Sequence, residues 1–181
     1  MSSDPRRLSR RSFLRRTLLG GALLTVSATI GRHLTGYALD PVSARRLRVL
    51  SVKEYLVLAA ICRRILAPDE RGAIGPDEIG SAFVIDEYLA GMPRPLADDV
   101  KALLQLVEHS PFVFSLRASR FSHLDGPAQD EVLAGWEGSR IELRRQGFAA
   151  LKGLAMIGYY GDPRAYAITG FTGPMLPSGA P

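Results

Sequence analysis

Apolar positions along this chain fall at helical spacing, most clearly in Leu96, Val100, Leu103, Leu104 and Val107, which stand at i, i+4, i+7, i+8 and i+11. That repeat lines one face of a helix, and each Leu or Val buried there contributes about 1.5–3 kcal/mol. Asp98 and Asp99 fall in its first turn, where the helix dipole favours acids. Upstream, Tyr55-Leu56-Val57-Leu58-Ala59-Ala60-Ile61-Cys62 is apolar nearly all round, the pattern of a central, buried helix. Ser51-Val52-Lys53-Glu54 reads as a capping box at its start. Arg63 and Arg64 fall in its last turn, and Pro68 ends it after about Leu66.

The rest of the chain alternates short helical patterns with breakers. Asp69–Gly80 reads as a loop whose acids, Asp69, Glu70, Asp77 and Glu78, are solvated and lack the spacing of a calcium loop. Ser81 caps a helix over Ala82–Leu89, with Phe83 and Tyr88 among its apolar positions and Asp86-Glu87 as solvated charge. Gly91-Met92-Pro93-Arg94-Pro95 breaks the chain before the striped helix, and Ser110-Pro111 interrupts it. Phe112–His123 is a helix or a pair of turns. Asp125-Gly126-Pro127 starts another helix, holding Val132, Leu133 and Trp136. A longer one runs from about Arg140 to Tyr159, with Phe148, Leu151 and Ala155 on its core side and Arg144 and Arg145 facing water. Asp162-Pro163 opens a last turn through Ile168.

No stretch alternates with period two for long enough to require a sheet. The pattern predicts an all-α fold, a small orthogonal or irregular bundle of about five to six helices. Its parts are an N-terminal signal segment (1–38), a linker (39–50), a helical domain (51–169) and an irregular Gly/Pro-rich tail (170–181).

Charge changes the picture of the N-terminus. The net charge of +5 is split unevenly. Up to Ala38 there are seven arginines (Arg6, Arg7, Arg10, Arg11, Arg15, Arg16, Arg32) and one acid (Asp4), giving +6, while the remainder has 16 Lys and Arg against 17 Asp and Glu, giving −1. A nucleic-acid binder needs a basic face on its folded domain, and no such excess exists after Ala38. Ser9-Arg10-Arg11-Ser12-Phe13-Leu14-Arg15, followed by the apolar run Thr17–Ile30, resembles a twin-arginine export signal, with Arg10, Arg11, Phe13 and Leu14 as its readable residues. The run is short of the roughly 20 apolar residues of a membrane span. A basic amphipathic helix lying on a membrane or a partner is the competing reading. Gly36-Tyr37-Ala38 offers small residues where a signal peptidase reads, without Ala-x-Ala, so cleavage and retention as an anchor both fit. The twin-arginine route carries folded proteins, which places the destination in the periplasm.

Candidate chemistry is sparse. Cys62 is the single cysteine, so no internal disulfide can form, and its apolar neighbours make it a small buried hydrophobe. His33, His109 and His123 have no metal-ligating partner at i+3 or i+4. There is no Gly-rich phosphate loop and no nucleophile elbow. One unusual patch stands out: Tyr159-Tyr160-Gly161-Asp162-Pro163 with Tyr166, Phe171 and Pro174. Its rings close the C-terminal end of the core or form a partner surface, to which tyrosine is suited.

The chain resembles the gluconate 2-dehydrogenase subunit 3 family from roughly Leu50 to Pro174. The resemblance rests on the helix ending Ile65-Leu66-Ala67-Pro68, on Phe83-x-x-Asp86-x-Tyr88-Leu89, and on the closing run Phe148-x-x-Leu151-Lys152 … Gly158-Tyr159-Tyr160-Gly161-Asp162-Pro163 … Gly170-Phe171-Thr172-Gly173-Pro174. It implies a non-catalytic small subunit without a cofactor of its own, paired with a large FAD-dependent sugar, polyol or sugar-acid dehydrogenase. A multihaem cytochrome c, carrying haem c, often takes the electrons. The large subunit commonly lacks a signal and crosses as a passenger through the twin-arginine translocase, and the complex is membrane-associated. Some relatives join subunits by a disulfide, for which Cys62 is the sole thiol here. A helical chaperone or scaffold for another exported redox enzyme is the rival reading.

Overall fold

The computed structural model describes residues 36–66, 74–115, 119–166 and 170. Among the described residues there are α-helices and short 3-10 turns, and no strand. The α-helices are α1 (Pro41–Ala44), α2 (Val52–Ile65), α3 (Pro76–Ile79), α4 (Ser81–Ala90), α5 (Arg94–Ser115), α6 (Gly126–Glu137) and α7 (Glu142–Tyr160). No described helix is long and apolar enough to cross a membrane. The fold is all-α, with α1 a single turn before α2 and α3 a single turn between α2 and α4.

Helix α2 is the axis of the domain. Val57, Leu58, Ala59, Ala60, Ile61 and Cys62 are all buried, and α2 touches α4, α5, α6 and α7. An element apolar on all sides has no stable place except inside. Its capping box forms as read: Ser51 Oγ accepts from the Glu54 N–H, and Glu54 Oε2 accepts from the Ser51 N–H at 2.8 Å. Arg63 and Arg64 emerge at the far end to meet Asp77 and Asp130. Burial pushes the Cys62 thiol up to about 12. The thiolate is the nucleophile in disulfide exchange, so a disulfide from Cys62 to another chain requires α2 to move.

Several local readings change in the fold. The linker contains one helical turn, α1, capped by Asp40, whose Oδ1 accepts from Val42 and Ser43 N–H at 3.1 and 2.9 Å. The Asp69–Gly80 stretch holds α3, and its Asp77 is paired with Arg63 at 2.6 Å. Gly80 takes φ of +78° and donates its N–H to Pro76 O at 3.0 Å, closing that turn in a conformation open to glycine. Gly80, not Ser81, is the cap of α4; Ser81 lies inside the helix, buried. Pro68 and Ile168 lie outside the described residues.

Helix α5 runs through Pro111 without a break. A proline inside a helix leaves the carbonyl four residues back without its N–H partner. That carbonyl belongs to Val107, and the Ser110 hydroxyl donates to it at 2.9 Å. The Ser-Pro pair therefore carries its own remedy. The buried face of α5 is also rotated from the apolar stripe: Leu96 is 50% exposed while Ala97, Leu104, Val107 and Glu108 are buried. Glu108 draws the face round because its carboxylate accepts from Ser122 N–H at 3.0 Å and Ser122 Oγ–H at 2.7 Å, fixing the 3-10 turn Phe121–His123. Because α5 starts at Arg94, Asp98 and Asp99 stand beyond its first turn.

Asp86 is the second buried acid. Its carboxylate accepts three consecutive backbone N–H groups, from Arg48 at 2.6 Å, Val49 at 3.1 Å and Leu50 at 2.7 Å. It is 1% exposed, so the reading of solvated charge holds for Glu87 and not for Asp86. The segment entering α2 is thereby pinned to α4. Asp125 caps α6 as its position before Pro127 suggests, its Oδ1 accepting from Ala128 N–H at 3.2 Å. Trp136, Leu133 and Val132 from α6 complete the core beneath α7. From Leu39 onward the described residues form one compact unit.

Candidate partner interface

The closing run of the sequence builds a clasp between α7 and the α3–α4 corner. Gly158 faces α4 so closely that an added Cβ would stand 2.6 Å from Ile85 Cγ1 and 2.7 Å from Ser81 O. Next to it Tyr159 is 3% exposed, and its hydroxyl donates to Ile74 O at 2.6 Å. Desolvation raises the Tyr159 pKa above its ordinary value. Asp162 accepts from Arg164 N–H at 2.8 Å, capping the 3-10 turn Pro163–Ala165, and holds the Arg164 side chain at 2.7–2.9 Å. Arg164 in turn donates to the Glu78 and Ile79 carbonyls at the end of α3, both at 3.3 Å. The Arg164 hydrogen bonds keep the Asp162 carboxyl at about 2.

These contacts divide the aromatic patch. Tyr159 serves the core, Tyr160 packs edge-on against it with centroids 5.1 Å apart and stays exposed, and Tyr166 is half-buried. Phe171 and Pro174 lie outside the described residues, as do Arg10, Arg11, Phe13 and Leu14 of the signal.

A larger surface lies along α7. Helix α7 has two apolar faces. One, with Gly147, Leu151, Leu154, Ala155, Gly158 and Tyr159, is buried on α4 and α6. Leu143, Ala149, Ala150, Gly153, Met156, Ile157 and Tyr160, with the polar Gln146 among them, recur at three- and four-residue steps on the opposite side, and all are exposed. The large members are substantially bare: Leu143 at 64%, Met156 at 43%, Ile157 at 44%. At the middle of this face a Cβ on Gly153 would meet nothing within 4 Å. Small residues thus hold the centre of the face and larger ones its ends. A surface helix with a polar outer face needs no partner, whereas one apolar on both sides leaves area uncovered.

A second unusual cluster sits where α7 begins. Arg144, expected to face water, lies with its Cζ 4.3 Å above the Phe114 ring and 5.5 Å from the Trp136 ring. Desolvation lowers its pKa from the ordinary arginine value. Its Nε and the Trp136 Nε1 are shielded from solvent and have no acceptor.

Other features carry less. A groove of about 680 Å³ runs between residues 45–48 and the α3–α4 corner. Its charges are largely answered within it, Arg48 by Glu87 at 3.2 Å and Arg46 by the Phe83 ring at 4.5 Å. Among the described residues no three His, Cys, Asp or Glu side chains gather as metal ligands.

The family model described as gluconate 2-dehydrogenase subunit 3 matches residues 52–173. Comparison with curated proteins and with solved structures gives no match.

Proposed function

The chain belongs to the gluconate 2-dehydrogenase subunit 3 family, accessory subunits of a dehydrogenase, and from that premise we propose that it is a non-catalytic escort. In this reading it docks on the folded, FAD-containing catalytic subunit of a glucose-methanol-choline-type dehydrogenase acting on a sugar, polyol or sugar acid. It stabilises that subunit by binding its folded form. Its twin-arginine signal then takes the pair through the twin-arginine translocase to the periplasm, where a cytochrome carrying haem c receives the electrons. The exposed apolar face of α7 carries the proposal, because a domain that spends a second helix face on nothing inside itself is built to cover, and be covered by, another protein. The signal at Arg10-Arg11 on a chain without a phosphate-binding glycine motif fits a cargo whose cofactor sits elsewhere. Tyr160 stands at the end of the α7 face, and Tyr166, Phe171 and Pro174 follow it in sequence as further candidates for the interface.

Co-expression with the catalytic subunit tests both halves. Replacing Arg10 and Arg11 by lysine is expected to leave the catalytic subunit in the cytoplasm; its arrival in the periplasm would end the escort reading. Ile157→Glu, at an exposed position, is expected to change the melting temperature of the chain little. The same substitution should cut co-purification of the catalytic subunit roughly tenfold or more, as a charge placed in a desolvated contact does. Unchanged co-purification would remove α7 from the interface.

A further inference from the structure

Arg144 is a cation held in place with nothing opposite it. Arg48, Arg63, Arg64 and Arg164 each meet a carboxylate. The Arg144 guanidinium instead makes no ion pair and no side-chain hydrogen bond among the described residues, and its Nε is buried without an acceptor. Two rings fix it, Phe114 at 4.3 Å and Trp136 at 5.5 Å. Trp136 is fully buried, and its own Nε1 is a second donor without an acceptor in the same cluster. Exposed apolar side chains adjoin the cluster, Phe112, Val113 and Phe114 at the end of α5 and Ile141 and Leu143 at the start of α7, with the charged Arg140, Glu142 and Arg145 exposed among them.

Arg144 is half-buried with its Nε shielded from water, and a cation partly withdrawn from water without a counter-charge carries a cost that a carboxylate from outside the domain would offset. Holding a guanidinium over rings makes no use of its N–H fork, which can take a carboxylate through two hydrogen bonds. An arginine against aromatic rings, beside exposed apolar side chains, is also the composition of an energetic centre in protein interfaces. The domain as a whole does not attract anions, since the chain after Ala38 carries a net charge of −1. The complementarity is local to this point.

We propose that the end of the bundle formed by Phe114, Trp136 and Arg144 receives an acidic side chain of the catalytic subunit, which pairs with the Arg144 guanidinium when the two chains dock. The inference rests on the docking proposed above and adds to it a second contact point and the chemistry of the group that fills it. Leu143, which follows from the exposed face of α7 and adjoins Arg144 in sequence, links the two surfaces.

The test measures the affinity of the purified full chain for the catalytic subunit at low and high salt, together with the melting temperature of the chain by itself. Arg144→Gln keeps a planar polar end and removes the charge. It is expected to weaken binding roughly 30-fold or more and to flatten the salt dependence, while the chain alone melts at the same or a higher temperature. Arg144→Lys, which keeps the charge and loses the fork, is expected to fall between wild type and Arg144→Gln. A chain that loses melting temperature on Arg144→Gln with its salt dependence intact makes Arg144 a structural clamp for the two rings and overturns the inference. Wild-type affinity for Arg144→Gln while Ile157→Glu blocks binding also overturns it and leaves the docking reading standing. Wild-type affinity for both variants removes the docking reading itself.

Discussion

Asp86→Ala is expected to lower the stability of the chain by about 3–4 kcal/mol, the larger of the two most damaging substitutions the fold points to. The carboxylate takes three backbone N–H groups at once, and the one from Leu50 is buried. Hydrogen bonds to a charged acceptor are worth about 1.5–3 kcal/mol each, and a donor left buried without a partner adds its own penalty. The sum falls short of three full bonds because the Arg48 and Val49 donors are only part-buried and regain water. A melting temperature lower by roughly 10–15 °C follows for a domain of this size. Asp86→Asn should lie between, since one amide oxygen cannot take all three donors and the amide N–H₂ opposes the rest. A melting curve unmoved by Asp86→Ala would show that the entering segment is held by something other than this carboxylate.

Gly158→Ala should destabilise by about 2–3 kcal/mol, although alanine is the better helix former. The new methyl would stand 2.6 Å from Ile85 Cγ1 and 2.7 Å from the Ser81 carbonyl oxygen. Ile85 is fully buried and cannot swing away, and the carbonyl belongs to the α4 backbone. Helices α4 and α7 would have to part, loosening the Tyr159 hydroxyl from Ile74 at the same time. The control lies one and a half turns earlier in the same helix. Gly153→Ala places its methyl in open space and should stabilise the chain by about 0.5–1 kcal/mol through backbone entropy alone. Chemical denaturation of the two variants side by side should therefore give shifts of opposite sign. Shifts of the same sign would mean that propensity, and not the α4–α7 approach, decides.

What could be read from the sequence was what neighbours in the chain decide. The Ser51–Glu54 capping box, the Asp125 cap, the buried run from Val57 to Cys62 and the all-helical class are local patterns, and all are present. What escaped depends on residues far apart. Asp86 looks like surface charge until the N–H groups 36–38 residues earlier are brought to it. Arg144 looks solvated until Phe114 and Trp136 arrive from two other helices. Pro111 reads as a break because proline removes a helix bond, yet the remedy, Ser110, stands beside it in the sequence. The second face of α7 was also legible, as Ala149, Ala150, Gly153, Met156, Ile157 and Tyr160 at helical steps. It is a weak signal because alanine and glycine add little apolar area to a stripe.

The Asp86 anchor also decides how the domain answers a pull. Tension applied from the N-terminal side reaches Arg48, Val49 and Leu50 before it reaches the first turn of α2. Three adjacent amides closing on one carboxylate share that load, and they hand it to α4 and, through the close contact at Gly158, to α7. The capping box of α2 sits behind this tether. A chain drawn forward by its leading end therefore meets its mechanical resistance at the α4 anchor, and the central helix is shielded from being unwound from its tip.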